Sequence, residues 1–270
     1  MGISKQMTAV IMKQELKLYP FRITTHHKLL EFDISRRLAM CEKLHRKMED
    51  HPSCIGKVLF SDEAHIHLNG AVCSQNNRYW GSELPDECEV KCLKGPKVTC
   101  LVALSADYGT FGPYWFESST GATVTINSIR YCEVINKLVT DLKEKLSTHQ
   151  YNRCWFMQDG ARPHTANITL DLLKSHFGRR TIGQKLAFEW SPHSPDLNPL
   201  DFFFWGALKN QVYENRPTSL ADIKENVEKF TRDMDLDTCK RVVANFGVRV
   251  NACFNRGGRH IEHIDYKKIA

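Results

Sequence analysis

Three strand-like apolar runs precede the first long amphipathic helix, and this order limits the possible folds more than any other feature of the chain. Lys57 to His67, KVLFSDEAHIH, opens with Val58, Leu59 and Phe60 and then alternates in polarity, which predicts a strand carrying Asp62. KVTCLVALSADYG and PYWFES follow, separated by Tyr108 to Gly112, the pattern of strand, turn and strand. Between the first two runs lies HLNGAVCSQNNRYWGSELPDE, which is polar and without periodicity, so it is expected to be an excursion from the sheet.

From Asn127 to Leu146 the apolar positions Ile129, Cys132, Val134, Ile135, Leu138, Val139, Leu142 and Leu146 recur at helical spacing. Arg153 to Met157 is a short apolar run that delivers Asp159 to the end of a buried strand. A helix is predicted to start near Pro163, a fifth strand at LAFEW, and an extended, proline-held connection at SPHSPDLNPLD. Asp201 then opens the helix DFFFWGALKNQVYEN, Ser219 caps the next, and a last helix from Leu236 to Asn255 stops at Gly257 and Gly258. This is the order of an α/β, RNase H-like fold: a mixed five-stranded sheet flanked by helices, with an insertion after the first strand and further helices at the C-terminus. A doubly wound nucleotide-binding fold would alternate strand and helix from the start and needs a glycine-rich first turn, and neither is present.

Bulk properties agree without deciding. At 270 residues the chain can bury one large core, and its net charge of +6 suits a polyanionic partner without requiring one. No apolar stretch approaches the roughly 20 residues of a membrane span, and the N-terminus lacks the apolar core of a secretory signal. A soluble, intracellular protein with no membrane partner is expected. The 10 Cys are scattered through apolar segments, as buried thiols in a reducing compartment usually are, and no disulfides are expected. Cys88, Cys92 and Cys100 beside His65 and His67 lack the second ligand pair of a zinc finger, which makes packed or surface thiols the stronger reading.

The chemistry should lie with three acids. In an RNase H-like sheet the first and fourth strands are neighbours, so Asp62 and Asp159 would lie side by side, with Asp201 opening a helix after the fifth strand. Carboxylates that close repel unless a cation neutralises them, and oxygen donors with open positions select hard divalent ions, Mg2+ or Mn2+. Two such ions about 4 Å apart would serve an in-line phosphoryl transfer. Against this, an Asp at a strand end is often only a turn former or helix cap.

The surrounding sequence adds to the reading. FSDEAHIHLNG, NNRYWG, WFMQDGARPHTAN and SPHSPDLNPLDFFFWG closely resemble the Tc1/mariner superfamily of cut-and-paste transposases, insect mariner-like elements in particular, with matching segments from about Tyr19 to His263. By that resemblance Asp62, Asp159 and Asp201 form the catalytic, metal-binding triad. The family places its third acid after the Asn-Pro dipeptide, so Asp201 is preferred to Asp196, which is expected to be a loop residue bonding nearby backbone. Two departures stand out. The interval from Asp159 to Asp201 is 42 positions, longer than in the best-known members, and Gly160 replaces an Asn frequent after the second acid. His164 could face a phosphate or a metal-bound water, or simply satisfy a polar helix start.

The resemblance also implies a clamp-like loop at 71–97 that reaches a second transposase protomer, with Tyr79 and Trp80 as natural anchors, although a surface hairpin without a partner fits the same residues. It implies a division into residues 1–50, the remnant of a DNA-binding helix-turn-helix and its linker, and 51–270, the catalytic domain. Transposon ends and target DNA are the implied substrates and the nucleus the implied location. A related RNase H-like nuclease, or a domesticated DNA-binding protein that has lost catalysis, would share much of this sequence.

Overall fold

The computed structural model describes residues 7, 11–15, 28–69, 95–214 and 216–261. Tyr79, Trp80, Cys88, Cys92, nearly all of the clamp-like loop and most of residues 1–27 lie outside these residues. The described elements are α1 (Glu31–Asp50), β1 (Val58–His67), β2 (Lys97–Ser105), β3 (Gly109–Trp115), α2 (Ser128–Lys145), β4 (Trp155–Met157), α3 (Asn167–Phe177), β5 (Thr181–Ile182), α4 (Trp205–Glu214), α5 (Leu220–Asp233) and α6 (Leu236–Asn255). A single helical turn at Thr148–Tyr151 links α2 to β4.

The sheet order is β3-β2-β1-β4-β5. The β1–β2 and β2–β3 pairs are antiparallel, whereas β1–β4 and β4–β5 are parallel. Side chains alternate across a strand, so each strand feeds two cores. Leu59, Leu101, Ala103, Phe111 and Phe156 pack with α2 and α3 on one face. Val58, Phe60, Val102, Leu104 and Met157 pack with α1, α4, α5 and α6 on the other. The mixed five-stranded, RNase H-like architecture expected from the element order is the one observed.

Helix ends follow local chemistry. Asn127 Oδ1 accepts from Arg130 N–H at 2.9 Å and caps α2, and Ser219 caps α5 reciprocally with Asp222. Past Asn255 the chain leaves α6 through Gly257 and Gly258, both at positive φ, as expected.

Three expectations need correction. The β2–β3 turn is shorter than Tyr108 to Gly112, because Gly109, Thr110 and Phe111 already pair with Ser105, Leu104 and Ala103. LAFEW is not the fifth strand. Phe188 makes one bridge to Ile182, and the strand is Thr181–Ile182 itself. The helix foreseen at Pro163 begins at Asn167, since residues 162–165 form turns. Met40, Cys41 and Leu44 of α1 belong to the main core, and α1 packs on α6.

Among the described residues no helix is long and apolar enough to cross a membrane. The described cysteines, Cys100 included, are free thiols, most of them buried.

Candidate active site

Because β1 and β4 run parallel with Phe60 opposite Met157, the residues just beyond that pair, Asp62 and Asp159, lie together where the β1–β4 pairing ends. Ser61 Oγ donates to Met157 O at 2.6 Å and ties the two strands at this point. Asp201 arrives from the third side, in a π-helical first turn at Leu200–Phe204 that runs into α4. Such turns interrupt helices mainly at functional positions. Asp62, Glu63, Asp159, Asp201 and Asn198 line a common cleft of about 410 Å³, closed along one wall by Trp190 to Pro195. The triad read from the sequence is therefore brought together.

Each acid is held differently. Asp62 shares its sheet face with Phe60, and its Oδ2 accepts from Trp205 Nε1 at 2.7 Å. Burial first, then the negative charges of Asp201 and Glu63, push its carboxyl well above the usual range, against the pull of the Trp205 bond. Desolvation by the cleft around it raises Asp201, which stays exposed on its outer side, to about 7, helped by the charge of Asp159 and opposed by a hydrogen bond from Asn198. Asp159 moves the other way. Its burial would raise it, but the bond and charge of His164 and the Ala161 N–H, 2.9 Å from Oδ1, outweigh that and hold it low.

His164 lies between two acids, its Nδ1 2.5 Å from Asp159 Oδ1 and its Nε2 3.4 Å from Glu63 Oε1. Its side chain is only 3 % exposed. Desolvation disfavours the imidazolium, yet Glu63 and Asp159 together raise it to about 10. It neither faces the open cleft nor sits in α3, so both readings open at the sequence level give way to an ion-paired one.

Asp196 requires a further correction. It is not a loop residue bonding local backbone but a fully buried partner of Arg37 in α1, bonded through both oxygens at 2.8 and 2.6 Å. Arg37 also donates to the carbonyls of His193 and Gly258, while Arg249 from α6 donates to the Asp196 carbonyl. Asp196 thus anchors the cleft wall from behind, and α1 and α6 are the anchors.

The donor set fits a hard divalent cation: the carboxylates of Asp62, Asp159 and Asp201 line one cleft. Among the described residues no three acidic, His or Cys side chains already converge on one point; Trp205, His164 and Asn198 stand beside the acids. Those three residues and Glu63 were not singled out from sequence as partners of the triad. Trp205 alone left a trace, four positions after Asp201 and so on the same helical face.

Comparison with solved structures bears on the fold. The pre-cleavage Mos1 transpososome is similar with a TM-score of 0.77 and 20% identity, over 96% of this chain and 72% of that one. The catalytic domain of Mos1 mariner transposase alone gives 0.68 and 19%, over 88% of this chain and all of that one. This chain has the Mos1 catalytic-domain fold. A Mos1 paired-end complex with the left transposon end gives 0.75 at 21% identity. No protein-family model and no curated protein sequence matches the chain. In this chain the wall from Trp190 to Pro195 and the turn at Leu200–Phe204 bring Asp201 to the cleft.

Proposed function

We propose that this chain is the catalytic domain of a Tc1/mariner transposase of the DDD type, which cleaves DNA at transposon ends and joins the freed ends to target DNA. The observation that carries this is the cleft in which Asp62, Asp159 and Asp201 meet at the end of the β1–β4 pair. The three acids would hold Mg2+ or Mn2+, two ions by the chemistry of the reaction. Bound there, such ions stabilise the attacking and leaving oxygens of a phosphoryl transfer. Solved Mos1 catalytic domains with Mg and with Mn support the metal assignment.

The protein's own groups position rather than react. Trp205 and Asn198 orient Asp62 and Asp201. The wall anchored by Arg37 and Asp196 keeps the cleft in register with the sheet. The same cleft can accept water in the cutting step and a 3′-hydroxyl in the joining step. DNA reading is assigned to residues 1–50, pairing with a second protomer to the clamp-like loop 71–97 with Tyr79 and Trp80, and location to the nucleus, where the substrate is.

The deciding assay incubates the protein with duplexes bearing terminal repeats, intact or pre-cleaved, in Mg2+ or Mn2+. Cleavage together with strand transfer, both lost in Asp62→Asn, Asp159→Asn and Asp201→Asn, is the expected result. Cleavage without joining would indicate an RNase H-like nuclease. Binding without either would indicate a domesticated DNA-binding protein.

A further inference from the structure

The pair Glu63 and His164 lies behind the proposed triad and has no part in it so far. Consecutive residues of a strand face opposite sides, so while Asp62 points toward α4 and Trp205, Glu63 points toward α2 and α3. There it meets His164, which packs on the ring of Tyr131 with centroids 4.2 Å apart. Tyr131, fully buried, donates to Gln158 Oε1 at 2.8 Å, and Gln158 Nε2 donates to His164 O at 2.9 Å. The imidazole is thus fixed by its backbone, by a tilted ring packed on it and by an acid on its far side. Its one remaining nitrogen, Nδ1, is aimed at Asp159 Oδ1, which also accepts from Ala161 N–H.

We infer that His164, oriented by Glu63, is the positioning residue for Asp159, holding Oδ1 so that Oδ2 is the oxygen offered to a divalent cation. This rests on the reading of Asp159 as a metal ligand. Asp159 needs such a device more than Asp62 does, because its side chain is 48 % exposed and stands on a loop beyond a three-residue strand. A ligating carboxylate that is free to rotate loses rotamer entropy when it binds, whereas one pinned through its second oxygen has already lost it. Partners of this kind typically contribute 10- to 100-fold in metal affinity or activity.

The test is Mn2+ binding to the full chain, measured by titration calorimetry, on His164→Ala, His164→Asn, Glu63→Gln and Asp159→Asn, with melting of each protein recorded without metal. An Asn amide nitrogen occupies the place of Nδ1 and can donate to Asp159, but it cannot reach Glu63. His164→Ala should weaken Mn2+ about 10- to 100-fold. His164→Asn should restore most of that loss even if its melting temperature stays as low as that of the Ala variant, a recovery that a merely structural role would not give. Glu63→Gln should fall between wild type and His164→Ala. Wild-type affinity in His164→Ala, tighter binding in it, or equal weakening in the Ala and Asn variants would each overturn the inference. Wild-type affinity in Asp159→Asn would instead overturn the site reading beneath it.

Discussion

Replacing Arg37 by Ala should be among the most damaging single changes in the domain, although the residue touches neither substrate nor the three acids. Both Arg37 and Asp196 side chains are fully buried, and the guanidinium spends its donors on two carboxylate oxygens and on the carbonyls of His193 and Gly258 at 2.6 to 2.9 Å. Removing one partner of a buried pair leaves an uncompensated charge and costs about 3–5 kcal/mol. The lost bonds to two carbonyls place Arg37→Ala toward the top of that range. At roughly 2–4 °C per kcal/mol for a domain of this size, melting should fall by about 10–20 °C. Arg37→Lys should recover only part, because an ammonium cannot match the bidentate geometry. Arg37→Met with Asp196→Leu should recover more than either single change, since an apolar pair leaves no stranded charge. Urea unfolding followed by tryptophan fluorescence gives each stability by linear extrapolation. A loss below about 1 kcal/mol for Arg37→Ala, or additivity of the two single changes within about 0.5 kcal/mol, would refute the reasoning.

Three further outcomes follow. Gly258→Ala should separate α1 from the end of α6, because a Cβ there would lie 2.2 Å from Ile34 O at φ +86; a melting temperature within a degree or two of wild type would count against the packing described. Asp201, raised from its ordinary 3.8 to about 7, contributes stability that is present below about pH 4 and lost as pH rises through 7. Metal-free protein should therefore gain stability from this group between pH 8 and pH 5, modestly because residue 201 is exposed and water screens it. Asp201→Asn should flatten that slope. Mn2+ at a hundred times its dissociation constant should raise stability by about 2.7 kcal/mol at pH 8, and a melting curve indifferent to Mn2+ would sink the metal assignment.

Much of this was legible because the strongest signals were local. Val58 to His67 alternates as a half-buried strand does, and Leu236 to Asn255 ends on two glycines, so both were placed nearly to the residue. Thr181–Ile182 was missed because two residues carry no period, and LAFEW looked more like a strand than the segment that is one. The cleft's acids could be named because one sits in a readable strand, one just past a short strand and one at a helix start. Their partners could not. Arg37 and Asp196 are 159 positions apart, and nothing in either neighbourhood announces the other. Glu63 stands beside Asp62 in the chain, but its partner His164 is set by the pairing of β1 with β4.

The closure at the base of the β1–β2 excursion carries an evolutionary consequence. His67 pairs with Lys97, and Leu68 N–H donates to Pro96 O at 2.9 Å, so the chain departs from the sheet and returns at one fixed point. Once the mouth of a loop is sealed, its length costs little, about 0.6 kcal/mol for each doubling. Descendants of this sequence could lengthen, shorten or rewrite whatever lies between without disturbing Asp62, five residues up the strand from the seam. The excursion and the cleft can then diverge at different speeds.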